Sequence, residues 1–168
     1  RNVRATLWVD DGPVREEFGE LGFSERGIEG AVALRMSRDA VYALIDGRRV
    51  KLVVDLKPAL TEQVLRDRIA RELAEMQPTE FFSELLRKLL PAPLVLPLAA
   101  EIDIPSKQYV SKLTEAEITR LIRTLKGLTL PVTDYAPFEY AVTTAGGVRC
   151  SEVNPRTMES LKVRGLYF

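Results

Sequence analysis

The sequence contains no histidine and a single cysteine, Cys150, among its 168 residues. Without histidine, a Ser-His-Asp triad, a Cys-His pair and a histidine-ligated metal are excluded within this chain. One cysteine allows neither an intramolecular disulfide nor a multi-cysteine zinc site. Because free cysteines are usually buried apolar residues, we expect Cys150 to be a structural residue rather than a reactive thiol. It fits a reducing, cytoplasmic compartment.

The charges show no excess of either sign, with 24 lysines and arginines against 24 aspartates and glutamates. Nucleic-acid-binding domains and polybasic membrane surfaces usually carry a basic excess or stripe. No stretch reaches about 18 apolar residues, the length that crosses a bilayer. We therefore expect neither nucleic acid nor a membrane as a partner.

The two ends of the chain differ from ordinary termini. The chain begins at Arg1 without a methionine, and it ends in the apolar run Gly165–Phe168. Natural termini are more often polar and frayed. We therefore expect both ends to be boundaries within a longer soluble enzyme.

Strand patterns occur near both ends of the chain. Residues 3–9 alternate apolar and polar side chains, which is typical of a half-buried strand. Asp11 and Gly12 form a favoured hairpin turn, which explains the acidic pair Asp10 and Asp11 better than a catalytic or metal-binding role. Strands are predicted over residues 3–9, 14–18, 50–56, 128–133 and 163–168.

The middle of the chain has helical patterns. Thr114 and Glu117 form a capping box, and Thr61 is a predicted N-cap. Helices are predicted over residues 31–44, from Thr61 to Pro78, from Thr79 to Leu90, and over 94–102 and 114–126. Phe81 and Phe82 begin a broad apolar stripe, which we interpret as core packing, with a docking face as the alternative. The predicted fold class is α+β, a β domain interrupted by a helical subdomain of about four helices.

Three motifs lie near the C-terminal end. They are FEYAVTTAGGV at residues 138–148, EVNPRTMES at residues 152–160 and GLYF at residues 165–168. Their order and spacing resemble those of the BaiN-like flavoproteins, also called the aminoacetone-oxidase type, which are FAD-dependent oxidoreductases. A weaker match covers residues 19–31, so the resemblance extends over the whole chain.

The resemblance implies an insert domain within a FAD-binding domain. It implies a translation-factor-like β-barrel from residues 1–60 and 128–168, with a return strand toward the FAD domain, and a helical subdomain at residues 61–127. The full-length protein would use FAD to transfer hydride between a small-molecule substrate and the flavin. Because this chain lacks the Gly-x-Gly-x-x-Gly fingerprint, we expect no tight FAD binding by it alone. Its expected partner is its own FAD-binding domain.

The resemblance also suggests the residues closest to the flavin, which are Thr144, Ala145, Gly146 and Gly147. Glycines let the backbone approach a flat ring, and their amides can donate hydrogen bonds. The alternative for these residues is a bulge or tight turn. Glu139 is a weaker candidate for a base or substrate anchor, against the alternative of a surface carboxylate. No catalytic residue is identified, and no metal site is expected.

Several residues have simpler interpretations or depart from the family pattern. We predict a turn at Asn154, Pro155 and Thr157, and we interpret the nearby tyrosines 135, 140 and 167 as packing residues. Ser24-Glu25 replaces the usual Thr-His pair, and residues 29–31 replace the usual Ser-Gly-Pro, which is typical of a subfamily with a different substrate.

The competing interpretation of the whole chain is a stand-alone protein-interaction module without chemistry.

Overall fold

A computed structural model describes residues 2–25, 27–142 and 146–168. The chain divides into two compact units, Arg1–Asp134 and Tyr135–Phe168. None of the helices in the described ranges combines the length and the hydropathy needed to span a bilayer.

The first unit contains a four-stranded antiparallel sheet. The strands of the chain are β1 (Asn2–Val9), β2 (Gly12–Glu20), β3 (Gly22–Ser24), β4 (Gly27–Glu29), β5 (Val50–Asp55) and β6 (Leu128–Val132). The four strands of the sheet pair in the order β2-β1-β5-β6, and β3 pairs with β4 in a separate hairpin. The predicted strands at residues 3–9, 14–18, 50–56 and 128–133 are therefore confirmed.

The turn between β1 and β2 has the structural role that was predicted for it. Asp10 adopts a left-handed backbone conformation, with φ of 53°. Its carboxylate accepts hydrogen bonds from Arg48 Nε at 2.9 Å and from the Arg49 amide at 3.1 Å. These hydrogen bonds lower the pKa of Asp10, as expected when donors favour the charged form. The carboxylate of Asp10 therefore ties the turn between β1 and β2 to the segment that precedes β5.

Five helices lie within the described residues, and four of them, α2–α5, follow β5. They are α1 (Ala31–Ile45), α2 (Glu62–Glu75), α3 (Phe82–Leu89), α4 (Ala92–Ile102) and α5 (Glu115–Gly127). Both predicted caps are confirmed: Thr61 Oγ1 accepts from the Val64 amide, and Thr114 and Glu117 form a reciprocal capping box. α3 begins three residues later than predicted, because residues 77–80 form a hydrogen-bonded turn.

The core of the first unit is continuous from the sheet to the helices. The inward side chains of β1 and β5 pack against α1, and the core continues through α2–α5. Phe82 is fully buried, which confirms the packing interpretation of that stripe. Phe81 is half-buried and stacks on Tyr109 with ring centroids 5.4 Å apart.

The α+β class is confirmed, but a closed barrel is not observed. β2 and β6 are the edges of the sheet, and no ladder among the described residues joins them. β6 is only five residues long and contains Pro131, which has no amide hydrogen to donate to a further strand. The division into residues 1–60 with 128–168 and residues 61–127 stays a prediction.

The described residues of the second unit do not form the predicted strand. Residues 138–140 and 150–152 form 3₁₀ turns, and the pairing is limited to isolated bridges, Val153 with Ser160 and Glu159 with Tyr167. The predicted strand at 163–168 was therefore wrong, because its backbone meets a single bridge instead of a neighbouring ladder. The predicted turn is confirmed, since Asn154 Oδ1 accepts from the amide of Arg156 at 2.9 Å.

An ion-pair cluster connects α1 to β2. The Glu17 carboxylate accepts from Arg15 Nε at 3.0 Å and from Arg35 Nε at 2.6 Å. Arg15 also donates to Asp39 Oδ2 at 2.8 Å. The hydrogen bonds from Arg15 and then Arg35 hold the pKa of Glu17 below its ordinary value of 4.5. Charge therefore contributes to the position of α1 on the sheet.

Glu17→Gln should reduce stability at neutral pH, and this loss should disappear in acid. A carboxyl group whose pKa is lower in the folded state stabilises the fold above its unfolded pKa. That contribution is lost as the pH falls from about 4.5 through the lower folded pKa. Urea midpoints measured from pH 7 to pH 3 check this. Glu16→Gln is the control, because its contact with Arg4 is exposed and 3.8 Å long; an equal effect of both substitutions would contradict the prediction.

Candidate functional site

The glycine pair of the predicted flavin-proximal segment lies in a stretch without regular secondary structure. Thr144 and Ala145 lie outside the described residues. Gly146 and Gly147 have φ of 121° and 101°, which L side chains rarely adopt. A Cβ atom added to either glycine would meet no atom of the described chain within 4 Å, apart from its immediate neighbours. Backbone conformation, and not crowding within the chain, therefore explains why glycine suits both positions.

The open side of this segment could accept a flat ring. Among the described residues, no atom beyond the immediate chain neighbours lies within 4 Å of a Cβ position built at Gly146 or Gly147. A planar heterocycle could therefore approach the backbone to contact distance, as a flavin would require. The geometry fits the predicted use of the segment without distinguishing it from a simple turn.

Glu139 lies in the 3₁₀ turn Phe138–Tyr140 and is exposed. No group of three or more acidic or cysteine side chains suitable for a metal ion occurs among the described residues. The role of Glu139 as a base or substrate anchor stays a prediction.

The second unit exposes an unusual amount of apolar side chain. None of its described residues is buried, and Phe138 is 80% exposed. The exposed large apolar residues are Tyr135, Phe138, Tyr140, Val142, Val148, Met158, Leu161, Val163, Leu166, Tyr167 and Phe168. So many exposed apolar side chains in a short segment favour a surface that another part of a protein covers. The packing interpretation of the three tyrosines was wrong for this chain, because each is exposed.

Cys150 is also exposed, so the expectation that it would be buried was wrong. It lies in the second unit, within the 3₁₀ turn Cys150–Glu152. Cysteines are on average buried, but a cysteine can be buried only where a core exists. The described part of this unit has no buried residues.

α1 has a second apolar face that sequence reasoning missed. We call this face, formed by Leu34, Val41, Tyr42 and Ile45, the outer stripe of α1. Leu34, Tyr42 and Ile45 are 52%, 57% and 62% exposed, and Val41 is half-buried between them. At 100° per residue, Leu34, Val41 and Ile45 share a line opposite the face packed on the sheet. Because both faces are apolar, the helical periodicity of this segment was weak.

Comparison with known proteins identifies relatives for most of the chain. Residues 1–143 match a family model described as "HI0933-like protein barrel and H2TH domain". The chain is also 32% identical over 152 residues to a 3-dehydro-bile acid delta(4,6)-reductase from Clostridium scindens. The aligned region covers 90% of this chain but 37% of that reductase. The chain therefore spans little more than a third of the length of this relative.

Proposed function

Because the chain belongs to the HI0933-like family of flavoprotein oxidoreductases, we propose that it is the inserted cap of a FAD-dependent enzyme. The family membership agrees with the resemblance of the three C-terminal motifs. In this role the chain covers the flavin and shapes the substrate site. We propose that the sheet and the β3–β4 hairpin are the barrel of the family description.

The observation that carries the proposal is the apolar surface that the chain leaves uncovered. The outer stripe of α1 and the apolar surface of the second unit both consist of side chains that proteins normally bury. A flavin-binding part of the same enzyme is a partner that could cover them. The relative that this chain matches is long enough to include such a part, since the alignment covers 37% of it.

The residues of this chain would hold the flavin through backbone groups. Bound FAD would supply the redox chemistry, and the protein would supply orientation and water exclusion. We propose that the segment from Thr144 to Gly147 lies against the flavin, because Gly146 and Gly147 leave room for a planar ring. The substrate would be a small molecule held between the flavin and the cap. The relative is named for a bile-acid substrate.

The Gly147→Val substitution tests this placement in the longer enzyme. A valine would fill the open space at this position, so we expect at least a tenfold loss of flavin affinity. The measurement is the flavin content and the flavin absorbance spectrum of the purified enzyme, with turnover measured on the same sample.

The matched control for this test is Gly47→Val. Gly47 also has a positive φ, of 70°, and open space around its Cβ position, but it lies in the first unit. An equal loss of flavin in both variants would mean that backbone strain, and not contact, is responsible. Unchanged spectrum and turnover in the Gly147→Val enzyme would refute the placement.

The second candidate is a protein-interaction module that does no chemistry. The exposed apolar surfaces favour it as well, because they fit a protein partner of any kind. Flavin content separates the two candidates. An enzyme that contains this chain and purifies without flavin, and that takes up none when FAD is added, would favour the module.

A further inference from the structure

We propose that a groove in the helical part of the first unit binds small monocarboxylates that carry an apolar tail. The groove lies between α3, the first turns of α4 and the segment that follows α4, and its volume is about 340 Å³. This volume is within the range of small-molecule pockets. The proposal concerns a different part of the chain from the flavin-proximal segment, and it does not depend on the proposed function.

Part of the lining of the groove is apolar. Val95 in this lining is buried, and Leu96 is 64% exposed. The half-buried ring of Phe81 also lines the groove and stacks on Tyr109. An aliphatic tail in the groove would remove Leu96 from water, which is favourable in proportion to the area covered.

The lining also includes two cations without carboxylate partners. Arg87 and Lys107 line the groove, both are exposed, and neither side chain makes a hydrogen bond or ion pair within the part of the chain that the structure describes. By contrast Lys88, the neighbour of Arg87, pairs with Glu72 at 3.2 Å. Free cations at the edge of an apolar groove are the groups that recognise a carboxylate.

The remaining polar groups favour a single negative charge. Glu84 also lines the groove, but its Oε2 atom accepts the Phe81 amide at 2.8 Å and so is committed to the start of α3. The lining therefore has two positive charges and one negative charge, which one carboxylate neutralises. The hydroxyl groups of Ser83 and Ser106 line the groove as well and can donate to the second carboxylate oxygen.

An NMR titration of the 168-residue chain with octanoate tests the proposal. We expect saturable shifts of the amides of Ser83, Ser106 and Lys107. Octanol has the tail without the charge, and acetate has the charge without the tail. Each should bind at least tenfold more weakly than octanoate. Equal binding of octanol and octanoate would overturn the proposal, as would saturable shifts confined to the outer stripe of α1.

Substitutions test the cationic and the apolar lining of the groove separately. Arg87→Gln with Lys107→Gln should weaken octanoate binding at least tenfold. Arg71→Gln with Arg123→Gln removes two exposed cations of the same helical region outside the groove and should leave the affinity unchanged. Leu96→Ser should abolish the gain in affinity from hexanoate to octanoate. Octanoate affinity that is the same in the Arg87/Lys107 variant as in the unaltered chain would refute the proposal.

Discussion

Charged residues on the outer stripe of α1 should detach this chain from the flavin-binding part of the enzyme while leaving the chain itself folded. The double substitution is Leu34→Glu with Ile45→Lys. Both side chains are more than half exposed, so the fold loses little packing. An acid near the start of the helix and a base at its end also suit the helix dipole.

The expected loss of association is large. Fully burying an apolar side chain of this size contributes about 1.5–3 kcal/mol, and Leu34 and Ile45 each have just over half of that area left to bury. Losing both therefore costs about 2.5 kcal/mol, or roughly seventyfold in affinity. The charges add a desolvation penalty to this loss. The measurement is flavin content and activity of the longer enzyme, together with the circular dichroism and urea midpoint of the 168-residue chain.

The control for this prediction is Val64→Glu. Val64 is 46% exposed on α2, far along the chain from the outer stripe, and it tests whether any new surface charge is harmful. We expect normal flavin content in the control. Full flavin content in the Leu34/Ile45 variant would mean that the outer stripe stays in water, and the cap proposal would lose its main support.

Lys126→Met should destabilise the fold more than the substitution of an exposed cation does. Lys126 Nζ pairs with Asp55 Oδ2 at 2.6 Å, and both side chains are only 17% exposed. The same ammonium group donates to the carbonyl oxygens of Lys57 at 3.0 Å and Leu60 at 2.6 Å. Removing one partner of a largely buried pair leaves the other uncompensated, so we expect a loss of about 3 kcal/mol in the free energy of unfolding.

Urea unfolding of three variants checks this value. Arg123→Met changes an exposed cation on the same helix and should stay within about 0.5 kcal/mol of the unaltered chain. Asp55→Asn with Lys126→Met should be more stable than Lys126→Met alone, because no buried charge is left unpaired. A Lys126→Met loss no greater than that of Arg123→Met would show that the pair contributes nothing.

The helices were predicted well because their signals are local. The Thr114–Glu117 capping box and the Thr61 cap depend on residues within one helical turn, and both are present. The hairpin at Asp10 and Asp11 is equally local. The three-residue error at the start of α3 arose because residues 77–80 could close either a turn or a first helical turn.

The predictions that were wrong depend on contacts between residues that lie far apart in the sequence. The composition of residues 163–168 suits a strand, but a strand also needs a neighbour, and composition does not specify one. The predicted barrel is named in the description of the matching family, but its closure is not observed, since no ladder among the described residues joins β2 to β6. Cys150 was expected inside because of an average preference that holds only where a core exists.

The use of the candidate site stays a prediction. Gly146 and Gly147 adopt positive φ values, which the sequence did not specify beyond the presence of glycine. The outer stripe of α1 was missed because a helix that is apolar on two faces has no clear polar side. The groove was missed because its lining comes from three segments that are brought together only by the packing of α3 and α4.

The pairing of β5 with β6 has a consequence for how the chain folds. Val54 is paired with Leu128, so the whole segment that contains α2–α5 leaves the sheet and returns to it at one place. Closing a long flexible loop has an entropic cost that grows with its length. If the helices form and pack first, the two ends of the segment are already close, and the last strand joins the sheet with little further loss of freedom. The packed segment that contains α2–α5 would then bring β6 to the edge of the sheet.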